Sequence, residues 1–99
     1  RRVVFTLGVT YETPSKKVEK IPSLIQTIIE KQEEAEFDRC HFKSYGDFAL
    51  LFEGVFFVNS SDYSIFVKAQ HEINLSIKLT FEKEKIEFAY PTQTVFVKK

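Results

Sequence analysis

Residues 46–59, GDFALLFEGVFFVN, restrict the folds open to this chain more than any other stretch. They read as one long strand in which Phe48, Leu50, Phe52, Phe56 and Val58 share a face, since side chains alternate along a strand. Leu51, Val55 and Phe57 then hold the opposite face, which is apolar too. A sheet with helices on one side only should be polar on its free side. Part of the second face is therefore predicted to meet another domain or subunit, or to lie under a loop.

The remaining elements follow from periodicity. RVVFTLGVTYE alternates, with Val3, Phe5, Leu7, Val9 and Tyr11 on one side, and predicts a first strand. Thr13 before Pro14 reads as a helix start, a capping hydroxyl followed by a proline whose missing donor costs nothing there. Val18, Ile21, Leu24, Ile25, Ile28 and Ile29 then recur at helical spacing, and Pro22 inside the pattern predicts a kink or a restart. RCHFKSY predicts a second strand with Cys40 and Phe42 inward, joined to the third by a turn at Gly46-Asp47. NSSDYS offers several helix caps, and the stripe Phe66, Ala69, Ile73, Ile77, Phe81 predicts a second helix with Gln70, Glu72, Asn74 and Lys78 outward. A short strand at 86–88 completes the order β-α-β-β-α-β. The fold class is thus α+β, a ferredoxin-like sandwich with two helices on one face of an antiparallel sheet.

At 99 residues the chain can build one core but not two. It contains no methionine, so it cannot begin at its own initiator and reads as part of something longer. Its 14 basic and 14 acidic residues cancel, which leaves no electrostatic footprint for nucleic acid or an anionic membrane surface. No apolar run approaches the roughly 18 residues that span a bilayer. The lone Cys40 cannot form an internal disulfide.

Candidate chemistry is sparse. Asp38, Cys40, His41 and His71 match no zinc spacing, and Cys40 and His41 point to opposite faces of one strand. No metal or cofactor is expected. Glu53 among apolar residues is better explained by a lysine partner than by catalysis, and Asn59-Ser60-Ser61 by a helix cap than by glycosylation. No phosphate loop, nucleophile elbow or carboxylate pair is present, so the chain is not read as an enzyme. KSYGDFALLF lacks the register of an RNA-recognition strand, broken by Ser44 and Asp47. A free-standing ligand-binding regulatory module of ferredoxin-like fold remains the alternative reading.

Leu7-Gly8-Val9-Thr10-Tyr11, Gly46-Asp47 with Phe52-Glu53, and Tyr90-Pro91-Thr92-Gln93 together resemble the C-terminal cytoplasmic domain of the small-conductance mechanosensitive (MscS-like) channel family. The likeness covers nearly the whole chain. Lys85 stands where that family usually has a glycine, and Ala89 where its first motif proline often is. The resemblance implies a tension-opened channel of the inner membrane, assembled as a homoheptamer. Its membrane helices precede this segment, and its C-terminal domains build a cytoplasmic vestibule that ions and small solutes cross.

The tail takes its meaning from that likeness. Thr92, Gln93, Thr94, Val95, Phe96 and Val97 alternate after Pro91 and read as a fresh strand. Read from the residues alone, it would complete this domain's own sheet. The resemblance implies instead a strand of a small parallel barrel shared by all subunits, with Pro91 redirecting the chain out of a domain spanning 1–91 and residues 92–99 forming the barrel strand. One short strand buries little area, so the fragment alone could be monomeric.

Overall fold

The computed structural model describes residues 1–91. In chain order they form β1 (Arg2–Val9), α1 (Ser15–Glu30), β2 (Ala35–Tyr45), β3 (Leu50–Val58) and α2 (Tyr63–Lys83). The strands make one antiparallel sheet in the order β1-β3-β2, so the doubly apolar strand is the central one. In place of a fourth strand at 86–88 there is a single antiparallel bridge, Val9 with Phe88, on the free edge of β1. The architecture is the α+β, β-α-β-β-α-β arrangement, with its last strand reduced to that bridge.

Both helices cover the same face. Ile21, Ile25, Ile28 and Ile29 of α1 and Ala69, Ile73, Ile77 and Phe81 of α2 are buried against Leu50, Phe52, Phe56 and Val58 of β3. Val3, Phe5 and Leu7 pack on the same cluster from β1. Each fully buried Ile or Phe contributes about 1.5–3 kcal/mol, and these side chains account for most of the favourable burial. Gly54 pairs with Phe5, and a methyl group there would collide with the Phe5 ring lying across it. The glycine lets that ring lie over the sheet and meet Phe56 edge-on at 5.9 Å.

Several sequence expectations shift. Thr13 does not cap α1: its hydroxyl bonds that of Thr10 at 3.1 Å, and Pro14 occupies the N-cap with no side-chain bond. Nor does α1 restart at Pro22, but runs through it as one helix. The second strand begins four residues early, at Ala35, with two bulges that absorb Asp38 and Lys43. Phe42 lies on the core side at its edge, 36% exposed, stacked on Phe52 at 5.2 Å. Phe48 leaves the core because the Gly46 N–H donates to the Ala49 carbonyl at 2.7 Å, which puts Phe48 in the turn. Tyr11 lies beyond β1 and is exposed.

The end of α2 is sharply defined. Lys85 has φ 59°, the left-handed region, while its N–H donates to Glu82 and that of Ile86 to Phe81. This is a Schellman stop, with buried Ile86 and Phe81 as its apolar clasp. A lysine here bears the strain that a glycine would avoid.

Candidate assembly surfaces

At one end of the sheet three segments remote in sequence converge. The Thr10 N–H donates to the Glu87 carbonyl at 3.1 Å, and the Ala89 N–H to that of Gly8 at 2.9 Å, on either side of the Val9–Phe88 bridge. The Tyr11 hydroxyl donates to the Gly46 carbonyl, and its ring stacks on Tyr45 at 6.4 Å. The strand end, the β2–β3 turn and the segment leading to Pro91 are thus fixed to one another. Between them lie a cavity of about 300 Å³, walled by Tyr11, Phe48 and Tyr90, and one of about 400 Å³ beside Gly8, Leu51 and Pro91.

The face of the sheet away from the helices carries Val4, Leu51, Val55 and Phe57, and no described element covers it. Val55, flanked by Val4 and Arg39 on the neighbouring strands, is fully buried, whereas Val4 is 47% exposed. Glu53 sits in this face and accepts a hydrogen bond from Lys43 Nζ at 2.9 Å. That bond, with the lysine's charge, holds its carboxyl below the ordinary value, so it is a paired surface anion.

Residues 3–88 match the family described as "Mechanosensitive ion channel MscS, C-terminal". The chain belongs to the MscS C-terminal family. Among its relatives, the small-conductance mechanosensitive channel MscMJ of Methanocaldococcus jannaschii is 41% identical over 100 residues, which cover 100% of this chain and 29% of that protein. The large-conductance channel MscMJLR of the same organism is 34% identical over 103 residues, covering 99% of this chain and 28% of the relative. An uncharacterized MscS family protein of Aquifex aeolicus is 31% identical over 102 residues, covering 100% and 28%. The chain therefore spans less than a third of the length of the curated relatives it matches. Among the described residues no helix is long and apolar enough to cross a membrane.

In this MscS-family domain the junction unites the stretches that carried the resemblance: Gly8–Tyr11, Gly46-Asp47 and Tyr90-Pro91. Pro91 is exposed at its rim, and Thr92 through Val97 lie outside the described residues. The titratable residues weighed for metal chemistry are dispersed. Cys40 is buried, and burial pushes its thiol up to about 11; His41 is on the opposite face; Asp38 pairs with Arg39 at 3.0 Å. Asp62, from the NSSDYS stretch, caps α2 by accepting from the Ser64 N–H at 2.9 Å. Sequence reasoning missed the outer side of α2, where Val67, Leu75 and Leu79 are exposed. Their spacing at multiples of four, a second stripe beside the core one, was the available signal.

Proposed function

We propose that this chain is the cytoplasmic vestibule and assembly domain of a tension-gated channel on the inner membrane, shaping the solute path to the pore and helping to hold a homoheptamer together. Membership of the MscS C-terminal family carries this reading. The apolar residues on the outer sheet face support it: Val4 is half exposed there, and Leu51 and Phe57 are only partly buried. The junction supports a role for Pro91 in sending residues 92–97 into a shared barrel, where the edges of lone strands disappear as the ring closes.

The test is patch recording from membranes that hold the full-length protein carrying this chain. Tension-activated current is expected; its absence from membranes that contain the protein rules the reading out. The barrel is tested separately by Val95→Pro with Val97→Pro, which removes strand donors and should lower oligomer mass and thermal stability. Unchanged values would return the tail to a local role.

A further inference from the structure

Each of the three segments that meet at the end of the sheet brings one aromatic ring and one carboxylate to the same cavity. Tyr11 and Glu12 follow β1, Asp47 and Phe48 stand in the β2–β3 turn, and Glu87 and Tyr90 flank the bridge at Phe88. All six side chains line the hollow of about 300 Å³. The rings are nevertheless open to water, Tyr11 at 45%, Phe48 at 49% and Tyr90 at 72% exposure. Exposed rings gathered around one concavity, with a few polar groups between them, are the make-up of a binding site.

The walls are set in place by the fold itself. The Tyr11 hydroxyl is held by the Gly46 carbonyl and its ring is backed by Tyr45, while the Gly46–Ala49 bond fixes the turn that carries Asp47 and Phe48. The bonds from Thr10 to Glu87 and from Ala89 to Gly8 fix the segment that carries Glu87 and Tyr90. Charge then selects the occupant. The chain as a whole is neutral, yet every charged side chain lining this cavity is acidic. Lys85 stands beyond Glu12 and Glu87 in an adjoining hollow, and among the described residues neither it nor any other base pairs with Glu12, Asp47 or Glu87. Nor do these carboxylates converge: among the described residues no three Asp, Glu, His or Cys side chains are placed to hold a metal ion. Carboxylates spread around aromatic rings suit a bulky cation of diffuse charge, which is attracted by the rings and the carboxylates together.

We propose that this groove binds a small organic ammonium ion from solution, a quaternary one most tightly. Such an ion spreads its charge over methyl groups and donates no hydrogen bond, so the rings cover the methyls while the carboxylates balance the charge. Because the walls stay partly in water, the affinity falls in the millimolar range, weak enough for a solute to leave again. One chain builds the whole groove. The site therefore goes beyond the assembly reading and does not depend on it.

Saturation-transfer NMR on the full-length protein in a maltoside detergent tests this, with tetramethylammonium as the probe and tert-butanol as its uncharged counterpart. Tetramethylammonium should bind saturably, and tert-butanol should not displace it. Glu12→Gln with Asp47→Asn and Glu87→Gln should weaken the binding by about tenfold, and Phe48→Leu with Tyr90→Leu severalfold. All five side chains are exposed, so melting temperatures should not change. Were either combination to unfold, Tyr90→Leu alone, which removes the most exposed ring, carries the same test. No saturable binding to the unaltered protein would overturn the proposal. Binding that neither combination weakens lies elsewhere in the protein and overturns it as well. Equal binding of tert-butanol would reduce the groove to a plain apolar hollow. A loss on removing the carboxylates with none on removing the rings would leave only an ion atmosphere, and no site. None of these outcomes touches tension-activated current, so the channel reading stands or falls separately.

Discussion

The two helices share one sheet face yet differ on their other sides. Outside its stripe α1 carries Lys16, Glu19, Lys20, Ser23, Gln26 and Glu30, all exposed and polar, and so serves only its own core. α2 carries apolar residues on both sides, the buried stripe and exposed Val67, Leu75 and Leu79. Their ends differ likewise. α2 starts on the Asp62 cap and stops at left-handed Lys85, whereas α1 starts uncapped and its last residue passes into Lys31 at φ −75°. The longer helix is the one fixed at both ends.

The sharpest way to break this contrast is to find unequal inner stripes. Ile25→Ala in α1 and Ile73→Ala in α2 both empty fully buried sites and should each cost about 2–5 kcal/mol in urea unfolding. A much smaller loss for Ile73→Ala would make α2 a docked appendage and not part of the core. Next comes the pair at the C-termini. Lys85→Gly relieves left-handed strain and should raise stability by about 1 kcal/mol, while Lys31→Gly, at an ordinary helical φ, should gain nothing. Equal effects would deny α2 its pinned end.

Smaller still is the effect on the outer side of α2 in the isolated domain. Leu75→Ser and Leu79→Ser should leave its unfolding free energy within about 0.5 kcal/mol, because neither side chain is buried there. A loss as large as that of Ile73→Ala would place these leucines in this chain's own core. The smallest effect concerns the tie between the helices. Glu84 accepts from Lys20 at 2.9 Å and from Lys17 at 3.4 Å, linking the end of α2 to α1. The hydrogen bond from Lys20 leads in holding its carboxyl below the ordinary 4.5. A depressed carboxyl stabilises the fold above its unfolded value, and that contribution is lost as pH falls through the folded one. Glu84→Gln should therefore flatten the acid limb of a stability–pH profile, with no change in slope near neutrality.

Much of the fold was legible because it rests on local periodicity. Both helices, the central strand and all four buried residues of each helical stripe follow from spacing alone. What escaped depends on contacts distant in sequence. Phe48 and Tyr11 obey the alternation of their strands, but the Gly46–Ala49 turn and the Tyr11–Gly46 bond take them out of it. The residues 35–38 look like a helix tail until β3 offers them a partner. Thr13 has the chemistry of a cap yet finds Thr10 nearer. The exposed apolar side chains were half legible: the doubly apolar strand announced itself, whereas Val67, Leu75 and Leu79 on α2 were hidden by the lysines and glutamates among them.

The convergence of Gly8–Tyr11, Gly46 and Glu87–Ala89 also bears on timing. Val9 and Phe88 stand almost a full chain apart, so their bridge closes the longest loop in the domain and gains nothing until the sheet between them exists. The segment before Pro91 therefore docks last, after strands and helices have set. A newly made chain therefore completes this end of the sheet only after the rest of the domain has folded.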